Sequence, residues 1–115
     1  MFQVLKFEVP AKDTDTNIEG KVVIDDQLKS QYRGIEGLII WTPETEDMRL
    51  INMELDIDNT EVFPAGFPVE LFSANLFRDT QPLKLDFPKD AKIEGAITNG
   101  NTKPVSILLI FNVKL

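Results

Sequence analysis

Arg49-Leu50-Ile51-Asn52-Met53-Glu54-Leu55-Asp56-Ile57-Asp58 is the stretch on which the fold class turns. Ile51, Met53, Leu55 and Ile57 alternate strictly with Asn52, Glu54, Asp56 and Asp58, and a period of two places every apolar group on one side of an extended strand. Just upstream, Thr42-Pro43-Glu44 followed by Glu46 and Asp47 has the composition of a helix start, with a capping hydroxyl, proline at the first helical position and acids in the first turn. The alternation decides for a polar turn across 42–48, with room for a brief helical segment, followed by a strand over 49–58.

The same period recurs on either side. Residues 2–9 place Leu5, Phe7 and Val9 on one face and end at Pro10, and residues 18–25 follow the polar loop Asp13-Thr14-Asp15-Thr16-Asn17. A looser stretch over 26–33 has room for a helical turn before a strand at 35–41, whose unbroken run Leu38-Ile39-Ile40-Trp41 reads as central and covered on both faces. Gly34 and Gly37 within that region predict a bulge or a close backbone approach. Asp58-Asn59-Thr60 turns the chain, and Phe63-Pro64-Ala65-Gly66-Phe67-Pro68 reads as a corner, because proline cannot donate to a central ladder. Strands are then expected at 69–74, 83–87, 91–98 and 105–115, the last two joined as a hairpin through Asn99-Gly100-Asn101. About eight short strands without a long helix define an all-β, two-sheet antiparallel sandwich, a jelly roll or related Greek key, in a single domain spanning 1–115.

Composition narrows the chemistry. The 115 residues are 43% hydrophobic and 27% charged, with 12 basic against 19 acidic side chains, a formal charge of -7, and neither histidine nor cysteine. Nucleophilic triads, thiolate or imidazole metal sites and the common near-neutral pH switch all need one of those two residues. The acidic balance and scattered basic residues speak against a nucleic-acid groove, which works by Lys and Arg displacing counterions from phosphate. No apolar run approaches a membrane span, and the chain enters patterned sequence directly after Met1, which favours a protein that is not exported. Patterned strands at both ends favour a unit that works alone or by assembling with other subunits. No cofactor is expected, since neither phosphate-loop pattern occurs among the glycines.

Three sets of residues are candidates for function. Asp13, Asp15 and Asn17 match the opening of an oxygen-rich calcium loop, but Ile18 stands where an EF-hand needs glycine and Ile24 where it needs a bidentate glutamate. The alternative is an Asx-rich turn. Tyr32 and Trp41 are the amphipathic rings on which a sugar could stack. Phe63, Phe67, Phe72 and Phe77 crowd around the proline-rich corner in numbers that one small core cannot absorb, which marks them as contact anchors for another subunit.

Three passages carry a family likeness: Arg33-Gly34-Ile35-Glu36-Gly37 leading into a central strand, residues 57–72 with their Phe-Pro corner, and Ile93-Glu94-Gly95-Ala96-Ile97-Thr98-Asn99 running through Pro104 to Phe111. In this rhythm the chain resembles the small single-jelly-roll virion proteins of bacteriophages, of capsid-vertex, decoration or minor capsid type. The resemblance covers most of the chain and transfers no individual functional position. It implies a non-enzymatic building block that forms symmetric homo-oligomers with other virion proteins, in the virion and assembled in the host cytoplasm. The rival expectation is a lectin-like carbohydrate-binding module using Tyr32, Trp41 and loop carboxylates, with or without calcium. A third is a small hydrolase built on two carboxylates.

Overall fold

The computed structural model describes residues 1–42, 48–72 and 82–115. Eight strands run in chain order: β1 (Phe2–Val9), β2 (Gly20–Gln27), β3 (Gly34–Trp41), β4 (Ile51–Ile57), β5 (Thr60–Pro68), β6 (Leu83–Pro88), β7 (Lys92–Asn99) and β8 (Val105–Lys114). Short 3-10 turns occupy Met48–Leu50 and Val69–Phe72. Antiparallel pairing joins β1 to β8, β2 to β7, β3 to β6 and β4 to β5. This is a single long ribbon whose first half runs beside its second half, closed at the tip by the β4–β5 turn. Folding the ribbon over on itself adds the pairings β3 to β8 and β4 to β7. It yields two four-stranded sheets, β1-β8-β3-β6 and β2-β7-β4-β5, the eight-strand order of a jelly roll.

Alternation is converted directly into a core. Ile51, Met53, Leu55 and Ile57 of β4 are all buried, as are Val105, Ile107, Leu109, Phe111 and Val113 of β8. Each such side chain contributes roughly 1.5–3 kcal/mol on leaving water. The two inner faces meet in one cluster that also takes in Ile24, Ile35, Leu38, Ile40, Ile93 and Ile97. The bulge foreseen between the glycines of β3 is present between Ile35 and Gly37. A Cβ on Gly34 would run into the Phe87 carbonyl oxygen of β6. β3 is central, between β8 and β6, although its described pairing with β6 reaches only Leu38; in the run 38–41 only Leu38 and Ile40 are fully buried, and Ile39 and Trp41 are half-buried on the outer side of the sheet.

Three local readings are corrected. Residues 63–68 are not a corner but part of β5, an edge strand with register shifts opposite Met53 to Asp56. Proline is excluded from a central ladder, yet at an edge its missing donor faces outward and removes nothing. The strand expected at 69–74 is a 3-10 turn over Val69–Phe72, with 73–74 outside the described residues, so β5 takes its place in the strand count. The Asn99-Gly100-Asn101 link is not a hairpin, because β7 and β8 belong to different sheets. The type I′ turn that Asn-Gly favours needs positive φ at both central residues; that geometry occurs instead at Asp58 (φ 50) and Asn59 (φ 62), between β4 and β5. The helix start foreseen after Thr42 falls on 43–47, outside the described residues, and is followed by the 3-10 turn Met48–Leu50.

What overrides the Asn-Gly signal is a buried polar knot. Asn99 is fully buried; its amide Nδ2 donates to the carbonyls of Pro10 at 3.1 Å and Lys103 at 2.9 Å, and its Oδ1 accepts from the Asn101 amide at 2.8 Å. Lys12 N–H donates to the Asn101 carbonyl at 2.8 Å. Two of the inter-sheet crossovers, β1 to β2 and β7 to β8, are therefore tied together at one end of the sandwich. Gln3 does similar work elsewhere, donating to the Gln27 carbonyl at 3.1 Å and accepting from Lys29 N–H at 2.9 Å. Replacing Asn99 by alanine leaves two carbonyls and an amide short of partners in a dry site. The expected loss is about 2–4 kcal/mol, measured by urea unfolding; an unchanged midpoint would remove the knot from this account.

Candidate functional site

The surface falls into three regions. On the outer face of the β2-β7-β4-β5 sheet, the register sets Asp25 opposite Glu94, Glu94 opposite Asp56, and Asp56 opposite Glu61. Four carboxylates thus stand in one row across all four strands. Directly opposed side chains in a sheet lie about 4.5–5.5 Å apart at Cβ, a spacing at which like charges destabilise. Beside the row runs an open groove of about 430 Å³, lined by Val23, Ile24, Asp25, Glu54, Asp56, Glu94 and Gly95. Its lining holds no aromatic ring, so it lacks the stacking platform a sugar site uses. Among the described residues, no three acidic side chains converge closely enough to hold a metal ion.

The loop before β2 uses its acids internally. Asp13 Oδ1 accepts hydrogen bonds from the N–H of Asp15 at 2.9 Å and of Thr16 at 3.4 Å, and Asn17 takes a left-handed φ of 60. The Asp15 amide, with further help from Thr16, holds the Asp13 carboxyl below its ordinary value. This is the Asx-turn geometry, in which Asp13 accepts from its own backbone. Tyr32 is 8% exposed and belongs to the core cluster. Trp41 is half-buried at the end of β3. The two rings do not form an exposed pair.

Toward the end of the β4–β5 pair away from its closing turn, where β5 runs into the 3-10 turn Val69–Phe72, the phenylalanines gather. Phe63, 4% exposed, is part of the core; Phe67 stacks on it with centroids 4.5 Å apart, and Phe72 tilts against it at 6.1 Å. Phe67 and Phe72 are half-buried, and Phe77 lies outside the described residues. Next to them the 3-10 turns expose Leu50 and Leu71, the latter to 67%. Phe63 thus supports the cluster from inside, and outward apolar surface is offered by Phe67, Phe72, Leu50 and Leu71. The leucines escape a reading of the sequence because short turns show no periodicity.

The third region is the outer face of the other sheet. There Val4, Ile110 and Ile39 lie in one cross-strand row, and Lys6, Leu108 and Trp41 in the next. Phe2 and Val4 are 57% and 52% exposed. At the far side Lys114 reaches across the bare backbone of β3 to Asp86 of β6, at 2.5 Å. The hydrogen bond and charge of Lys114 hold the Asp86 carboxyl below its ordinary value. Within the described residues no helix is long and apolar enough to cross a membrane.

Compared with protein-family models, curated proteins and solved structures, the chain matches none. Its surface must therefore be judged on its own chemistry, and the carboxylate row gives the first test. Substituting Glu94 by lysine places a cation between Asp25 and Asp56, and is expected to stabilise the fold by about 0.5 kcal/mol or more at low ionic strength. The gain should shrink as salt screens the row. Thermal melts across a salt series check this, and a fall in Tm at low salt would contradict it.

Proposed function

We propose that this chain is a non-enzymatic structural subunit, a capsid-associated jelly-roll protein of the bacteriophage virion that forms symmetric homo-oligomers. The observation that carries the reading is the apolar patch at the end of β4–β5 away from their turn, where Phe63 in the core props up half-buried Phe67 and Phe72 beside exposed Leu50 and Leu71. Rings held rigid by stacking lose little freedom on meeting a partner, which suits them to anchor an interface. The jelly-roll strand order supports the reading as analogy, since the same architecture serves capsid proteins, lectins and cupins.

The mechanism is mechanical. Two packed sheets make a stiff brick, the apolar patch and the sheet edges carry the contacts, and closed symmetry multiplies one modest contact around an axis. The carboxylate row faces away from β1 and keeps free subunits apart in solution. The carbohydrate reading has less behind it, with Tyr32 in the core and no ring in the groove.

Light scattering on the purified chain tests the proposal. The apparent mass is expected to rise above the 13.0 kDa of one chain as concentration increases. Leu71→Asp, an exposed position that the core does not use, should weaken assembly about tenfold or more by placing a charge in the contact. A strict monomer from micromolar to millimolar concentration would overturn the reading.

A further inference from the structure

Among the described residues, β1 leaves one side of its backbone without partners. The Val113 amide donates to the Met1 carbonyl at 3.2 Å, in the register that sets Phe2 opposite Asn112 and Val9 opposite Val105. In an antiparallel pair, hydrogen-bonded and non-hydrogen-bonded positions alternate. The odd-numbered residues of β1 therefore bond to β8, and the N–H and C=O groups of Phe2, Val4, Lys6 and Glu8 point along the open edge. The other three edges carry features that discourage pairing. β5 has Pro64, Pro68, register shifts and Gly66 at φ 78; β6 is six residues long and ends at Pro88; β2 carries Asp25 and Asp26. β1 has eight residues, no proline and no register shift, and its Lys6 and Glu8 cancel in charge.

We propose that β1 pairs antiparallel with β1 of a second copy about a two-fold axis at Val4, fusing two β1-β8-β3-β6 sheets into one eight-stranded sheet. The inference rests on the assembly reading above and names one of its contacts. A second copy is the fitting occupant because the edge complements itself in charge and in apolar character. Two chains of formal charge -7 repel over most of their surface, and this edge is locally neutral. With Val4 on the axis, the row Ile39, Ile110, Val4 continues into the same three residues of the second copy. Lys6 then lies opposite Phe2 of the second copy, an ammonium beside a ring. Placing the axis at Leu5 would instead make the two Lys6 diagonal neighbours, about 7–8 Å apart. Strand pairing alone buries less than the roughly 800 Å² per partner of a standard interface, so the dimer is concentration-dependent and gains strength from closure with the phenylalanine-patch contact.

The chain has no cysteine, which makes single-thiol variants clean probes. A hydrogen-bonded antiparallel pair sets its Cα atoms about 5.5 Å apart, within the span of a disulfide. Oxidised Val4→Cys is expected to run as a covalent dimer on non-reducing gels, and Val23→Cys, 65% exposed on β2, as a monomer. Val4→Pro deletes an N–H that points away from β8, so circular dichroism should match the wild type and sedimentation should show dimerisation at least about tenfold weaker. Val4→Lys repeats the test should the proline variant unfold. No disulfide at Val4, or an oligomer that a folded Val4 variant leaves unchanged, overturns the edge contact and spares the assembly reading. A wild type that stays monomeric at every concentration overturns both.

Discussion

Each strand of a sheet needs hydrogen-bond partners on both sides, and a chain folded as one doubled ribbon cannot supply them all. Pairing β1 with β8, β2 with β7, β3 with β6 and β4 with β5 satisfies one side of every strand, and the overlaps of β3 with β8 and β4 with β7 satisfy the second side of four. What remains is four edges. Three are blunted by proline, bulge, brevity or acidic charge, and β1 is not. The inner faces follow from the same constraint, since period-two side chains on both halves of the ribbon converge on one core.

The acidic row belongs to one sheet. The outer face of β2-β7-β4-β5 carries Asp25, Glu94, Asp56 and Glu61 in register, whereas that of β1-β8-β3-β6 sets Val4, Ile39, Leu108, Ile110 and Trp41 beside Lys6 and the Lys114–Asp86 pair. The stacked Phe63 and Phe67 add a separate aromatic patch toward the end of β5.

Much of this was legible from side-chain period alone. The strand read over 49–58 contains β4 (Ile51–Ile57), with 49–50 taken instead by a 3-10 turn, residues 2–9 coincide with β1, and the bulge between Gly34 and Gly37 is where two glycines in a strand place it. The failures share a cause: they turn on partners distant in sequence. Asn99 looked like a turn residue, but its amide bonds the Pro10 carbonyl 89 positions away. The prolines of β5 read as a corner because nothing local distinguishes an edge from a break. The carboxylate row is invisible until the register aligns Asp25, Glu94, Asp56 and Glu61, and the open edge of β1 appears only once β8 is known to occupy the other side. The Asp13 turn reads in the sequence either as a metal loop or as an Asx turn, and the backbone amides its carboxylate accepts are seen only in the structure.

The central claim is that this is a stiff brick with one open edge, and amide hydrogen exchange tests it most directly. In dilute solution the amides of Leu5 and Phe7 should exchange slowly and those of Val4 and Lys6 fast, a two-residue alternation that follows from β8 lying on one side only. On concentration, Val4 and Lys6 should become protected while Leu5 and Phe7 remain so. Uniform protection along β1 in the dilute chain, or Val4 and Lys6 still exchanging freely when the protein is concentrated, would contradict the account.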